Sequence, residues 1–315
     1  MNTLPHDVER ISWGKSSPFI AAHLLALLAF VVPFHWGYVA LAVGLYFARM
    51  LFVTIGYHRY FSHRSFQTSR PMAFILAFLA ETSSQKGVLW WASHHRHHHK
   101  FSDQDDDIHS PTKRGFWWSH IGWILCRKYD TPRWDQIKDF SRFPELRFIS
   151  KHWWIPPVLG LALLFAFGGF PAVVWGGFVS TVLLWHGTFT INSLSHVFGR
   201  RRYLTKDTSR NNWALALLTC GEGWHNNHHY HQNTANQGWF WWEVDFSYYA
   251  LKLFERLGLV WKLKKPEAQT RDVYLTYSAE QRRQLAEQGR YGGKQKPSRA
   301  PSGRGPRPVP ALSSP

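Results

Sequence analysis

Thiols are nearly absent: Cys126 and Cys220 are the only cysteines in 315 residues. No disulfide framework is implied, and so few thiols argue against a structural zinc site built on thiolates. A reducing, cytoplasm-facing environment fits, and any metal chemistry falls to histidine, of which there are 19. Acid is scarce too, with 20 Asp and Glu against 37 Lys and Arg, a formal charge of +17. Such a balance attracts nucleic acid or anionic lipid. Charge of either sign vanishes over residues 16–48 and 152–199, which decides for lipid and against nucleic acid. No glycine loop of the nucleotide-binding kind is present. No small-residue cleavage pattern follows the first apolar run, which argues against a signal peptide.

What the chain has in excess is aromatic and apolar side chains, 17% and 45%, with 18 Trp. Tryptophan gathers where apolar and wet surfaces meet. Each uncharged run is too long for one spanning helix of about 20 residues and is broken near its middle, by Pro33-Phe34-His35-Trp36-Gly37 in the first and Gly168-Gly169-Phe170-Pro171 in the second. Each reads as a hairpin. The expected spans are 18–34, 37–57, 154–170 and 174–196, giving an all-α membrane protein of four transmembrane helices in two hairpins. Residues 72–80 are apolar but too short to span, and read as a buried or interfacial helix. The hairpin turns carry no Lys or Arg, whereas the feet do, Arg200-Arg201-Arg202 among them. The positive-inside rule then places both termini and residues 58–151 and 200–265 in the cytoplasm, as a helical cap. The expected organisation is a segment 1–15, a membrane domain 16–265 and a basic tail 266–315. Within that tail a short amphipathic helix is expected near 278–288, and disorder from 292 to 315.

Histidine supplies the chemistry. Ser93-His94-His95-Arg96-His97-His98-His99 places five histidines in seven residues. His95, His98 and His99 stand at i, i+3 and i+4, one helix face on which three rings can converge. His225, His228 and His229 repeat that spacing. His94 and His97 fall outside it. His58 and His63 are five apart, about 140° around an α-helix, and so suit one ligand to each of two metals, or a helix end. Asn192 and His196 lie one turn apart at the foot of the last span, a functional candidate because polar groups there are expensive. Counting His196 gives nine imidazoles, enough for two metals. Nitrogen-only ligation suits Zn, Cu, Fe or Ni. Neighbouring metals with open positions and no carboxylate ligand point to redox chemistry with oxygen. The acid run at 103–107 is a candidate for accepting ring N–H bonds, or a solvated loop. His6, His23, His35, His120, His152, His186 and His231 read as ordinary surface or core residues, and His109 stays open.

Three motifs carry a family resemblance. His58-Arg59-Tyr60-Phe61-Ser62-His63, His95-Arg96-His97-His98-His99-Lys100-Phe101-Ser102 and Gly221-Glu222-Gly223-Trp224-His225-Asn226-Asn227-His228-His229 resemble the histidine boxes of membrane fatty acyl desaturases, nearest the stearoyl-CoA Δ9 type and its bacterial relatives. Asn192-Ser193-x-x-His196 resembles a further element of that family. The likeness covers roughly residues 15–265. It implies four transmembrane helices under a cytosolic cap that holds a di-iron site. It implies His58, His63, His95, His98, His99, His196, His225, His228 and His229 as iron ligands, and Asn192 as the holder of a metal-bound water. It also implies a narrow, bent acyl tunnel passing the metals.

The implied reaction is aerobic. A fatty acyl thioester or acyl lipid, O2 and two electrons yield a cis double bond, at Δ9 on the family pattern, and water. No fused cytochrome b5-like domain is recognised, so electrons are expected from a separate ferredoxin or cytochrome b5-type carrier with its reductase. The expected location is a bacterial inner membrane, with the site facing the cytoplasm. The competing readings are a membrane di-iron lipid hydroxylase and a metal-binding or transport protein.

Overall fold

A computed structural model describes residues 9–288. The expected disorder of residues 292–315 lies outside them. Helix α1 (Trp13–Ala26) ends in a 3-10 turn at Leu27–Phe30. After the turn at Pro33, the His35 ring accepts the Gly37 N–H and starts α2 (Trp36–Phe52). α2 continues without a break as a π-helix over Val53–Ser62. α3 (Arg70–Glu81) has Ser69 as its N-cap and a proline in its first turn, both favoured there. α4 (Val88–Phe101) carries the longest histidine run. Gly87 gives α4 no side-chain cap. Its first N–H groups are taken instead by Glu81, which accepts from Val88 at 2.8 Å, and by Ser150 Oγ, which accepts from Leu89 at 3.1 Å.

After the short α5 (Pro144–Lys151) comes the second uncharged run. α6 (Ile155–Ala172) is interrupted at Gly169, where φ 64° and ψ −166° leave the helical region, a conformation open to glycine alone without strain. Beyond it the chain continues as a π-helix, Val173–Val179, and then α7 (Ser180–Ser193). The two arms face one another. A Cβ on Gly177 would lie 2.5 Å from Leu161, and one on Gly176 would lie 3.0 Å from both Leu164 and Leu45. The glycines therefore let α6, the second π-helix and α2 approach closely. Arg49 of α2 reaches the same place and donates to Ser180 Oγ, Thr181 Oγ1 and the Gly176 carbonyl, so a half-buried charge finds polar partners.

Among the described residues, two helical stretches are long and apolar enough to cross a membrane, Trp36–Ser62 and Ile155–His196. Apolar side chains point outward from the second, Phe165 and Phe167 among them. α8 (Trp213–Leu218), α9 (His225–Tyr230) and α10 (Phe246–Arg256) follow the second run. Asp245 caps α10 by accepting the Tyr248 N–H at 2.9 Å. One two-residue antiparallel pair, Gln67–Thr68 with Val260–Trp261, ties the exit of the first histidine box to the end of α10. α11 (Ala279–Gln288) corresponds to the helix expected near 278–288, and Ala268–Asp272 before it is helical as well.

Candidate metal centre

Four separate stretches bring nine histidines together. His58, His63, His95, His99 and His228 form one group, and His98, His196, His225 and His229 form a second, each with ligand atoms within 4.8 Å of one another. These are the nine residues singled out in the sequence. Of the two alternatives expected for His58 and His63, the structure gives the helix end, since His63 is the C-cap of Val53–Ser62. They do not face two different metal positions; both belong to the first group. The physical reason is the π-helix. His63 N–H bonds to the His58 carbonyl at 3.2 Å, an i→i+5 turn that stacks residues five apart. The two rings are 4.7 Å apart between centroids.

The i, i+3, i+4 triplets split in a regular way. On a helix turning about 100° per residue, i and i+4 lie about 40° apart while i+3 falls on their far side. In α4, His95 and His99 accordingly join the first group and His98 the second. In α9, His225 and His229 join the second and His228 the first. The second and third boxes thus lend residues to both groups, and the first box to one alone.

The first group closes through Nε2 atoms. His58 Nε2 lies 3.0 Å from His228 Nε2, which lies 2.9 Å from His99 Nε2. His99 Nε2 lies 2.9 Å from His95 Nε2, and that atom 3.0 Å from His63 Nε2. A neutral ring nitrogen either donates one hydrogen or accepts, so it cannot bond to neighbours on both sides of such a string. A cation resolves the conflict. Metal–nitrogen bonds of about 2.1 Å at right angles put nitrogens about 3.0 Å apart. In the second group His196 Nε2 and His225 Nε2 are 3.1 Å apart. Burial first, and then neighbouring imidazoles, pushes His63, His95, His99, His225 and His228 well below the ordinary histidine pKa. They are therefore held in the neutral form that ligates. The donor set fits a pair of metal ions.

Carboxylates fix ring orientation from outside. His98 Nδ1 is 3.0 Å from Asp107 and His196 Nδ1 3.1 Å from Asp103. Residues 103–107 therefore act at both ends, whereas Asp105 pairs with Lys113 at the surface. His229 Nδ1 is 2.7 Å from Asp207, and His58 Nδ1 2.5 Å from Glu222. Burial alone would raise Asp103, Asp107 and Asp207, but the imidazole each faces and the further donors around it hold all three well below the usual carboxylate range. A carboxylate on Nδ1 sets the tautomer and leaves Nε2 free to ligate. Sequence reasoning misses Asp207 and Glu222, because nothing in their spacing marks them. The GEG run before the third box is the one usable signal for Glu222.

Asparagines position that box. Asn211 Oδ1 accepts the N–H groups of Asn226 and Asn227 at 2.9 and 3.1 Å. Asn226 Oδ1 accepts those of Arg202 and Tyr203. Asn227 donates to Glu243 at 2.8 Å, and Glu243 also pairs with Arg202. Arg202, which reads in the sequence as a topology residue, is thus tied into the support of α9. Gly223 lies under the same box. A Cβ there would sit 2.1 Å from Ala216 N and 2.4 Å from Asn212 O. Backbone cannot move aside cheaply, so Gly223→Ala is expected to cost about 1–3 kcal/mol or more. Folded yield and thermal midpoint in detergent check it; wild-type values for both would refute it.

Among the described residues, the other histidines lie outside the two groups, although His109 adjoins the second, forming a smaller cluster with His98 and Asp107. His94 bonds to the Trp90 carbonyl and His97 to the Asp106 carbonyl. His109 stacks on His98 at 4.2 Å, and its buried Nδ1 has no partner among the described residues. His23, His186 and His120 form a column at 3.1 and 3.0 Å that ends on Ser193 Oγ. The column fastens α1 to α7 and to the segment Trp118–Gly122. Asn192 anchors the neighbouring Ser119 hydroxyl through its carbonyl, at 2.8 Å. A cavity of about 1220 Å³ adjoins the first group. Its walls are largely apolar, with Phe19, Phe52, Trp91 and Trp185 among them, and His95, His109 and Asn192 line it too. The volume and lining suit a long aliphatic chain.

Residues 34–254 match the family model described as fatty acid desaturase. The chain is 41% identical over 261 residues to the sn-1 stearoyl-lipid 9-desaturase of Anabaena variabilis, covering 81% of this chain and 94% of that protein. It is 44% identical over 263 residues to the sn-1 stearoyl-lipid 9-desaturase of Synechocystis, covering 81% of each. Similarity extends to an acyl-CoA 5-desaturase of Anemone leveillei, 40% identical over 248 residues, covering 78% of this chain and 77% of that one.

Proposed function

The chain belongs to the fatty acid desaturase family, and from that premise we propose that it inserts a cis double bond, at Δ9, into a saturated fatty acyl chain at a di-iron centre held by its nine histidines. It is an oxidoreductase of lipid metabolism and is associated with the membrane. The observation that carries the fuller reading is the adjacency of the two histidine groups, with the cavity of about 1220 Å³ reaching His95. Iron would supply the redox chemistry with O2 that breaking an unactivated C–H bond needs. The protein's own part is geometric. His58, His63, His95, His99 and His228 would hold one ion, and His98, His196, His225 and His229 the other. Asn192 would hold a metal-bound water from the cavity side. The cavity walls would exclude bulk water and fix which methylene faces the metals.

Electrons would come from a separate ferredoxin or cytochrome b5-type carrier. The acyl group would arrive as a thioester or within a lipid; the relatives named above act on lipid-bound and CoA-bound chains. The reversal at Gly169 supports the second hairpin, and the helices on either side of Pro33 support the first. The chain would therefore cross the membrane four times, near 18–34, 37–57, 154–170 and 174–196. Both termini and the cap, 58–151 and 200–265, would face the cytoplasm of a bacterial inner membrane, with 266–315 as an appended basic tail.

Lipid analysis of a desaturase-deficient host expressing the gene tests this directly. A new cis double bond with its position mapped is expected, together with about two iron ions per chain. A hydroxylated acyl product would favour the hydroxylase reading. One zinc and no iron would favour a metal-binding protein. Asn192→Ala is expected to lower desaturation about 10–100-fold, the usual cost of losing a group that acts through a metal's other ligands. Wild-type turnover in that variant would remove Asn192 from the site.

A further inference from the structure

The two metal positions are not equivalent, and the difference lies behind the histidines rather than among them. In the four-histidine group, three rings have Nδ1 on an aspartate whose side chain is largely shielded from solvent: His98 on Asp107, His196 on Asp103 and His229 on Asp207. In the five-histidine group, His58 alone among the described residues has a carboxylate, Glu222. That carboxylate is also shared with Arg59 at 3.1 Å. An anion on Nδ1 pulls the ring proton outward and makes Nε2 a stronger donor to a cation.

The aspartates are themselves fixed. Asp207 accepts from Ser209 N at 3.0 Å and Thr205 Oγ1 at 2.9 Å. Asp103 accepts from Thr208 N and Oγ1 at 2.7 and 2.6 Å and from Ser110 Oγ. Asp107 accepts from Asp103 N at 2.8 Å and His109 N at 3.1 Å. Two loops, one on each side of the site, are thus stitched together at Asp103. Three of the four rings in the four-histidine group are thus backed by a preorganised carboxylate, against one of the five in the other group.

We propose that the position formed by His98, His196, His225 and His229 is the tighter of the two and fills first, and that Asp103, Asp107 and Asp207 are the positioning residues that make it so. The inference rests on the two-iron reading above. The fifth imidazole of the other group works against it, but counts as a single neutral ligand. Two additional carboxylates, at about 10–100-fold each, outweigh it. The expected separation is at least about tenfold in free iron.

The test starts from the purified, iron-loaded full chain in detergent. It is equilibrated anaerobically against graded concentrations of an iron(II) chelator, and the iron remaining per chain is counted by elemental analysis. Two steps of one iron each are expected. Asp207→Asn should shift the tighter step about 10–100-fold toward weaker binding and leave the other in place. Glu222→Gln should shift the weaker step alone. His225→Ala, which removes a ligand with no carboxylate behind it, should abolish the tighter step. This variant keeps the test decisive should Asp207→Asn fail to fold. A single step of two irons, or movement of the weaker step by Asp207→Asn or His225→Ala, overturns the inference and leaves the two-iron reading intact. Fewer than two irons on the wild-type chain overturns both.

Discussion

Replacing His228 with alanine is expected to abolish double-bond formation while the protein still accumulates in the membrane. His228 is fully buried, and its Nε2 stands between His58 Nε2 at 3.0 Å and His99 Nε2 at 2.9 Å. It therefore joins histidines from the α2 extension and α4 through a helix six residues long, and neither neighbour can reach across in its absence. Loss of an outer partner alone costs about 10–100-fold in metal affinity or activity, so loss of this ring should cost at least about 100-fold. The membrane-crossing stretches carry their own apolar surface, so insertion should proceed. Lipid analysis in a desaturase-deficient host, with immunodetection of the membrane fraction and iron per chain, checks both halves. His97→Ala is the matched control. It removes a histidine from the same dense run, but one bonded to a loop carbonyl outside both groups, and activity should stay within a few-fold of wild type. Retained desaturation in His228→Ala, or its loss in His97→Ala, would mean that the groups are wrongly drawn.

That contrast also marks how far residue spacing alone separates the histidines of the two groups from their neighbours. His95, His98 and His99 are separable from His94 and His97 because helical periodicity is a local property that spacing reveals. The same periodicity leaves the partition of each triplet open, since it depends on which neighbouring helix lies on which side. The step from His58 to His63 is legible as a pair but not as a single group. It takes a π-helix to bring residues five apart into register, and nothing in Val53–Ser62 announces the wider turn. Asp103 and Asp107 are visible as an acid run beside the histidines. Asp207 is not, because it meets its histidine by tertiary folding from an unremarkable position, and Glu222 is marked only by its place in the third box, not by any spacing to His58. His23, His120 and His186 look ordinary in sequence for the same reason: their column exists only once α1, α7 and the Trp118–Gly122 segment are assembled. Apolar runs broken by Pro33 and Gly169 are the clearest signals of all, since the uncharged lengths leave few alternatives.

Replacing Arg59 with methionine is expected to cause the largest loss of stability of any single substitution in the first box. Its guanidinium is fully buried. It donates to Glu222 Oε1 from Nε at 3.2 Å and from Nη2 at 3.1 Å, and to Asp245 Oδ2 from Nη1 at 3.1 Å. A further bond reaches the Ala235 carbonyl at 2.7 Å. Methionine fills much of the volume but leaves two carboxylates buried without their cation. Breaking a buried pair on one side costs about 3–5 kcal/mol, more than the net worth of the pair itself. The damage has a direction. Asp245 caps α10 and accepts the Gln237 N–H at 2.8 Å, and Glu222 sets the His58 ring. Instability should therefore spread to α10 and to the five-histidine group together, lowering the thermal midpoint and the iron content in parallel. Arg59→Lys keeps the charge and loses the fork, and should fall between wild type and methionine. Adding Glu222→Gln and Asp245→Asn to Arg59→Met removes the stranded charges, and should recover part of the thermal midpoint without recovering activity, because His58 would still lack its carboxylate. A triple variant less stable than Arg59→Met alone would show that the cost comes from lost packing rather than from uncompensated charge.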